Sequence, residues 1–413
     1  MNNSAPDSIT RWAPYWVLMF VALWPAPGYA EAMMSLGAVF GFSLMLWQKF
    51  AYRSTWLSRE AWLMILAFFL AYWLPEFFSA FDAINAKKSW REVVLDLRYL
   101  PFLWLIALSV SDEKGRNLIF SGLAVISLFW TLDGMVQVLT GLSLGGAMTE
   151  DRLSGIFGSG NLKLGLVLAA LSPFTLDWAH KRGGNWAWTL AALLLGTVIL
   201  WAGARAAWVM FGIVLLVSGW RIMGKRRLGI FFLAAGMILA ISYFSSPELR
   251  ARIERTEAAW TEENGGIDHA LSGRISIWNS AIKMIADHPV NGIGVRNFRD
   301  AYKNYAQVDD PFTTGQQEGA YHAHHWLLEV LSETGIIGLI FWLSGFYLIW
   351  RAWWWSPPKA RELTFVPMVA IIAVIFPINT HLAFYATFWG GCWLMLLAIY
   401  AGCLGAKDRF ETQ

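Results

Sequence analysis

The sequence predicts an all-α polytopic integral membrane protein with about 12 transmembrane helices and a helical cap on the outer side of the membrane. Composition is the first indication: 57% of the 413 residues are hydrophobic and only 15% are charged, against about 25% charged in soluble domains. The second is that apolar runs long enough to span a bilayer recur from end to end. A net charge of +3 gives no indication of a nucleic-acid partner, and we expect none.

Twelve apolar segments are predicted spans. The first, which follows Arg11, is interpreted as a retained span and not as a cleaved secretory signal. The spans divide the chain into residues 1–245 with helices one to nine, a long loop over 246–325, and residues 326–413 with helices ten to twelve and a tail. The segments are about 12–30, 31–48, 61–79, 93–110, 118–139, 160–178, 186–202, 206–220, 229–245, 326–350, 363–380 and 382–404.

The distribution of Lys and Arg predicts the orientation. An even number of spans puts both termini on one side, and the loops on that side hold most of the basic residues. The opposite short loops are poor in them, with Lys87, Lys88 and Arg91 as an exception. Because short cytoplasmic loops carry the excess of positive charge, we expect both termini in the cytoplasm and the 246–325 loop on the outer side of the membrane. The basic residues on the terminal side are Lys49, Arg53, Arg59, Lys114, Arg116, Lys181, Arg182, Arg221, Lys225, Arg226, Arg227, Arg351, Lys359, Arg361, Lys407 and Arg409.

The 246–325 loop is predicted to fold rather than to act as a linker. Residues 287–292 have the composition of a helix stop followed by a turn. We therefore expect two or three short amphipathic helices that pack over the membrane face as a cap. The sequence shows no internal repeat and no strand pattern. Apolar residues recur at helical spacing at Ile275, Trp278, Ile282 and Ile285, and again at Phe298, Tyr302 and Tyr305.

Three arginines are predicted to lie on the outer face. Arg152 begins a stretch with three glycines that ends at Asn161, Arg205 lies in the short turn Gly203-Ala204-Arg205, and Arg274 begins a cap helix. A guanidinium binds phosphate through two parallel hydrogen bonds and stays charged. Convergence of the three would suit a lipid-linked phosphate or pyrophosphate, whereas each one alone could simply reach lipid headgroups.

A histidine cluster precedes span ten. His322, His324 and His325 lie where the polar loop meets the membrane. With an ordinary pKa of about 6.5, imidazole is the natural proton acceptor near neutrality, and the start of a helix favours its neutral form. Two other interpretations stay open: the histidines are interfacial polar residues, or they bind a metal together with Asp309 and Asp310.

Four charged residues fall inside predicted spans. They are Asp96 and Arg98 in span four, Asp133 in span five and Lys163 in span six. Charges are costly in lipid, so each must face protein or a water-filled cavity. For these four residues, the sequence favours neither a role in helix packing nor a role in the site over the other.

The order of the motifs resembles the O-antigen ligase and polymerase superfamily. Position 325 departs from its pattern, with His where the family usually has Asn, Ser or Gln. The resemblance covers roughly residues 150–345 by motif. The elements are Arg152-x-x-Gly-x-Phe followed by Asn161, Gly203-Ala-Arg205, Ser272-Gly-Arg274 with Trp278, His288-Pro-x-x-Gly292-x-Gly294 with Asn297, and His324-His325 followed after nine residues by Gly335-x-x-Gly338.

This resemblance implies an integral-membrane, type C-like glycosyltransferase in the inner membrane of a Gram-negative bacterium. It would transfer O-antigen from undecaprenyl pyrophosphate, the donor carrier, to lipid A–core in lipopolysaccharide biosynthesis, on the periplasmic face. The family is metal-independent and inverting, so we expect no cofactor. The family pattern makes His324 the general base and Arg152, Arg205 and Arg274 the pyrophosphate ligands. His325, His322, Asn161, Lys163 and Arg98 are candidates for supporting roles.

Two other functions remain open at this level. Within the family, an O-antigen polymerase would use a second lipid-linked glycan as acceptor, and a protein O-oligosaccharyltransferase would use a protein. From another class, a lipid or glycan transporter fits the hydropathy. A transporter needs a polar pathway through the bilayer, whereas the notable basic sites here lie on one face, and this favours surface chemistry.

Overall fold

The structure, a computed structural model, describes residues 6–52, 55–148, 152–245, 274–308, 310–314, 319–376 and 383–408. The described part is almost entirely helical. The helices are α1 (Asp7–Ala22), α2 (Pro27–Trp47), α3 (Arg59–Ser79), α4 (Ala86–Asp96), α5 (Tyr99–Ser109), α6 (Glu113–Thr140), α7 (Lys163–Trp201), α8 (Arg205–Ser245), α9 (Arg274–Asp287), α10 (Phe298–Tyr305), α11 (Trp326–Trp355), α12 (Pro358–Ile375) and α13 (Thr387–Leu404).

The centre of the bundle is formed by α5 and α13. In α13, 83% of an 18-residue window is buried, and every residue of α5 except Leu100 is buried as well. A helix that is apolar on all sides is either buried in protein or faces lipid, and protein covers both of these helices. Accordingly, α13 packs against α3, α5 and α12, while α1 and α2 cover α5. The chain is therefore a multi-pass membrane protein with a protein-packed interior.

Two long helices are interrupted where the sequence predicts turns between spans. The 39-residue α7 is non-helical at Gly183 and Gly184, and the 41-residue α8 is non-helical at Gly224. Thirty-nine helical residues would extend about 58 Å, nearly twice the hydrocarbon thickness of about 30 Å. A Cβ on Gly165 would lie 3.0 Å from the Cβ of Ala202. Because the two ends of α7 thus lie side by side, its halves form a hairpin.

Each predicted span coincides with a helical segment, but the number of crossings stays a prediction. Among the described residues, seven helices are long and apolar enough to cross a membrane. The 11 residues of α5 and the 16 of α1 are short for a membrane span. The interruptions in α7 and α8 account for two of the predicted spans that do not appear as separate helices.

Two of the short helices predicted for the 246–325 loop are α9 and α10, and residues 246–273 lie outside the described residues. That they cover the periplasmic face of the membrane stays a prediction. They share a small core of their own, formed by Ile277, Ala281, Met284, Phe298 and Tyr302 together with neighbouring residues. The apolar face predicted for α9 was wrong by one position, since Ile282 is 55% exposed. The predicted residues and the buried residues of α9 each recur at helical spacing. The buried set contains the small Ala281, which allows a closer approach to α10.

A break in α11 joins the cap to the bundle. Gly335 has a φ of +64°, and the amide groups of Ile336 and Ile337 donate to the carbonyl oxygens of Pro289 and Val290. A Cβ on Gly335 would overlap the Val290 carbonyl, so this approach requires glycine. We name the pairing of residues 289–294 with 332–337 the cap junction. The cap junction explains why glycines follow Pro289 in one motif and follow His324 in the other.

Candidate active site

The loop that carries Arg152 is held from below by α6. The side-chain carbonyl of Gln137 accepts the backbone N–H groups of Ser154 (3.1 Å) and Gly155 (2.8 Å). Asp133 accepts the N–H of Leu144 at 2.9 Å. Leu144 lies in the turn of a short antiparallel strand pair, Leu142–Ser143 with Gly146–Ala147, that the sequence did not predict. Gln137 and Asp133 are therefore supports for this loop, and Asp133 needs no role in the site.

Arg152 itself extends along the turn between α7 and α8. The amide of Leu153 donates to the carbonyl of Trp201 at 3.3 Å. A Cβ on Gly203 would lie 3.6 Å from Cγ of Arg152. Arg152 is exposed and lines a cavity of about 380 Å³ with Ser154, Ser159, Gly160, Asn161 and their neighbours. The first two predicted motifs thus lie side by side, with Arg152 next to the turn that ends in Arg205.

Arg205 and Arg274 are the first residues of α8 and α9. Burial lowers the pKa of Arg274, and the positive charge of Arg205 lowers it further. Two guanidinium groups from distant parts of the sequence therefore lie within electrostatic reach of each other. Such a pair of like charges is unfavourable by itself, and an anion between the two would stabilise it. The pair is therefore a candidate site for a phosphate or pyrophosphate.

The next turn of α9 positions the histidines. Trp278 lies four residues after Arg274, on the same helix face. Its indole N–H donates to the carbonyl of Ala323 at 3.1 Å, and its ring contacts the ring of His325 edge-on, with 5.9 Å between centroids. One short helix thus carries a phosphate-binding candidate and, one turn later, the residue that fixes the histidine segment.

The sequence suggested that His324 begins the helix of span ten, but the structure shows that it does not. Helix α11 begins at Trp326, and His325 occupies the position before it with an extended backbone. His324 adopts a φ of +49°, in the left-handed region, and its ring contacts the ring of His322 at a tilt of 42°, with 3.9 Å between centroids. His322, His324 and His325 are all half-buried. This backbone turns His324 away from the direction that the helix would impose.

Burial favours the neutral form of His325. It lowers the pKa of the His325 imidazole below its ordinary value, and a hydrogen bond within the residue opposes that effect. In the described part of the chain, Nδ1 of His325 has no hydrogen-bond partner. Contact with Trp278 makes His325 a packing residue of the segment, and its ring supports the arrangement around His324.

Asn161, Lys163 and Arg98 have structural partners. Asn161 accepts the N–H of Lys163 at 3.1 Å and donates to the carbonyl of Phe157 at 3.2 Å, so it shapes the end of the Arg152 loop. The Lys163 ammonium lies 4.2 Å from the ring centroid of Phe388. Arg98 pairs with Glu31 at 3.2 Å and therefore joins α5 to α2. The described contacts of Arg98 do not connect it with Arg205 and Arg274.

The acidic residues of the loop do not support the hypothesis that they bind a metal together with the histidines. Asp310 is buried and accepts the Tyr302 hydroxyl at 2.9 Å and the N–H of Phe312 at 2.8 Å. Asp309 lies outside the described residues. Among the residues that the structure describes, no group of three or more His, Cys, Asp or Glu side chains is arranged to hold a metal ion. Metal independence remains a prediction.

Arg296 is a charged residue of the cap junction that the sequence did not single out. It adopts a φ of +63°, and its N–H donates to the buried carboxylate of Glu333 at 2.7 Å. Burial opposes the charge of Arg296, but Glu333, Glu92 and Glu329 outweigh it and raise the pKa of the guanidinium. The signal was present in the sequence: Glu329 and Glu333 are four residues apart in an otherwise apolar helix and require a buried cation.

Comparison with known proteins agrees with the resemblance found in the motifs. Residues 190–343, which include Arg205, Arg274 and His324, match a family model described as O-antigen ligase. A curated relative, the exopolysaccharide production protein ExoQ of Rhizobium meliloti (strain 1021), is 26% identical over 301 residues. That alignment covers 70% of this chain, and the chain spans 64% of the relative's length. Like the motifs, the two matches show that this chain is similar to the O-antigen ligase superfamily.

Proposed function

We propose that this chain transfers O-antigen polysaccharide from undecaprenyl pyrophosphate to lipid A–core at the periplasmic face of a Gram-negative inner membrane. The family and the relative support the coarser statement, a membrane glycosyltransferase of the ligase or polymerase type. The electrostatic contact between Arg205 and Arg274, next to the turn that borders Arg152, is the observation that carries the finer proposal.

The reaction is a direct displacement at the anomeric carbon of the donor. His324 takes the proton from an acceptor hydroxyl as that oxygen forms a bond to the anomeric carbon. The bond between this carbon and the pyrophosphate oxygen breaks, and undecaprenyl pyrophosphate leaves with the electron pair. Arg152, Arg205 and Arg274 stabilise the charge that develops on the leaving group, as a metal ion does in other enzymes. Attack opposite the leaving group inverts the anomeric configuration.

Purified protein tests the proposal when it is mixed with undecaprenyl-pyrophosphate glycan and lipid A–core, with and without a chelator. Glycan on lipid A–core in both conditions supports a metal-independent ligase. Product that depends on the metal would contradict the mechanism. No product from a folded preparation would contradict the enzyme and favour a transporter.

A polymerase is the second candidate. The name of the relative, an exopolysaccharide production protein, favours a polysaccharide acceptor over lipid A–core. The same reaction mixture without lipid A–core distinguishes the two, because a polymerase elongates the donor glycan and a ligase does not. An acceptor protein in a third mixture tests for protein O-oligosaccharyltransferase activity.

A further inference from the structure

The end of the bundle opposite the arginine and histidine site contains a cavity of about 640 Å³ between α6, α7, α8 and α12. We name it the inner cavity, because the positive-inside pattern assigns this end to the cytoplasm. It takes no part in the proposed reaction. Its lining changes from charged to apolar along the helix axes, which is the pattern expected of a site for an amphiphile.

The charged end of the inner cavity is formed by the ends of the helices. Two ion pairs there have no net charge. Arg116 forms two hydrogen bonds to Asp408, and Lys181 pairs with Asp177 at 2.8 Å. The remaining charged residues of the lining are Glu113, Arg221, Lys359 and Glu362.

Those four residues carry two positive and two negative charges. Among the residues that the structure describes, none of the four forms an ion pair. The guanidinium of Arg221 lies 3.9 Å from the ring centroid of Phe365, a contact that leaves its N–H groups available to an acceptor. His180 also lines the cavity, and its Nδ1 is shielded from solvent without a hydrogen-bond partner in the described part of the chain.

The apolar end lies one to two helical turns closer to the middle of the bundle. Phe120 follows Glu113 and Arg116 on α6, Pro173 precedes Asp177 on α7, and Val366 and Val369 follow Glu362 on α12. A ligand with its polar part at the helix ends would therefore direct an apolar part into the bundle. This favours a lipid over a free phosphate compound.

We propose that the inner cavity binds a zwitterionic phospholipid with a phosphoethanolamine head group. Arg221 and Lys359 would bind the phosphate, and Glu113 and Glu362 the ammonium group. An anionic lipid would leave the two carboxylates without a cation. A phosphatidylcholine would fill the space, but its methylated ammonium cannot donate hydrogen bonds to them.

The test is native mass spectrometry of the purified full-length chain, titrated with phosphatidylethanolamine, phosphatidylglycerol or phosphatidylcholine of the same acyl chains. Phosphatidylethanolamine should bind about tenfold more tightly than the other two, since each of them lacks one set of charged hydrogen bonds. Equal affinity for the three lipids would overturn the proposal. Glycerophosphoethanolamine, which has the head group without acyl chains, should bind at least about tenfold more weakly; equal binding would overturn the lipid assignment.

Variants assign the binding to the cavity. The double change Arg221→Gln and Lys359→Gln should weaken phosphatidylethanolamine binding about tenfold. The change Glu113→Gln and Glu362→Gln should remove the preference for phosphatidylethanolamine over phosphatidylglycerol. The matched control is Arg226→Gln with Arg227→Gln, two exposed residues at the same end that do not line the cavity. If this control weakens binding as much as the cavity variants do, the proposal is wrong.

Discussion

His324 has a backbone conformation that a histidine adopts at a cost. The left-handed region is unfavourable for an L-residue by roughly 1–2 kcal/mol, and it persists only where surrounding contacts impose it. Here those contacts come from the cap, through Trp278 and the Ala323 carbonyl. Strain of this kind clusters at functional sites, which supports His324 as the residue that acts on the substrate.

Replacement of each histidine separately identifies the base. His324→Gln should lower the rate of glycan transfer by about 10²–10⁴-fold, the usual contribution of a general base. His325→Gln should retain most of the activity, because that ring packs on Trp278 and Gln is common at this position in the family. The measurement is the initial rate with purified protein of verified folding. Wild-type activity in His324→Gln, or its loss in His325→Gln alone, would reverse the assignment.

The lowered pKa of His325 predicts how stability depends on pH. In the unfolded chain the imidazole takes up a proton near pH 6.5, whereas the folded protein resists protonation until the pH is lower. The unfolded state then binds more protons, so this residue's contribution to stability is lost as the pH falls below about 6.5. The thermal midpoint of the wild type should therefore decrease more between pH 7 and pH 5 than that of His325→Gln. Identical decreases would show that His325 titrates normally.

Among the secondary-structure elements, α11 connects the cap to the bundle through backbone and side-chain hydrogen bonds. Its first part holds the buried Glu329 and Glu333, and its break at Gly335 receives the backbone of residues 289–294. Glu333 accepts the N–H groups of both Arg296 and Phe298, at 2.7 and 3.4 Å. Because His324 lies two residues before this helix, the cap junction fixes the histidine relative to α9 and its arginine.

Gly335→Ala tests the cap junction. The left-handed backbone alone should cost about 1–2 kcal/mol, and the overlap with Val290 adds to that cost. We expect a lower thermal midpoint and a lower transfer rate. The control is Gly345→Ala in the same helix, where the new Cβ would lie 3.6 Å from the Cβ of Ala71, an ordinary contact. Equal effects of the two substitutions would mean that the junction has no special role.

Elements that depend on local pattern were predictable, and contacts between distant segments were not. Hydropathy located α6, α11 and α13, because each buries a long apolar sequence. Hydropathy could not predict that the helices before and after Gly183 and Gly224 follow one another without a loop, because that depends on how tightly the chain turns at these glycines. Likewise, the motifs predicted Arg205 and Arg274, but only the fold shows that the two charges interact. Arg296 was missed because its carboxylate partners lie on another element.

At the scale of the whole molecule, the two ends of the bundle differ in chemistry. Arg152, Arg205, Arg274 and the histidines gather at one end, while the loops rich in Lys and Arg lie at the other. A donor with a membrane-embedded carrier and a large polar glycan requires such an arrangement, since its pyrophosphate lies at the headgroup level. The orientation of the two ends is therefore central to the proposed function.

Labelling with a membrane-impermeant maleimide tests the orientation. Thr314→Cys lies in the cap and Arg226→Cys in the turn region of α8, and both positions are exposed. In intact spheroplasts Thr314→Cys should react, and Arg226→Cys should react only after the membrane is opened. Cys392 and Cys403 are buried, so the wild type serves as the unlabelled control. The reverse pattern would place the histidines in the cytoplasm and rule out periplasmic transfer.

The most direct test of the proposed pyrophosphate site is the equilibrium binding of undecaprenyl pyrophosphate to Arg205→Gln, Arg274→Gln and the double variant. Each single change should weaken binding about tenfold or more, as expected for a charge-assisted hydrogen bond. The binding free energy lost in the double variant should be smaller than the sum of the losses in the two single variants, because both arginines bind one ligand. Lys303→Gln, which removes an exposed charge from α10, should have little effect. Wild-type binding in both single variants would contradict the pyrophosphate site.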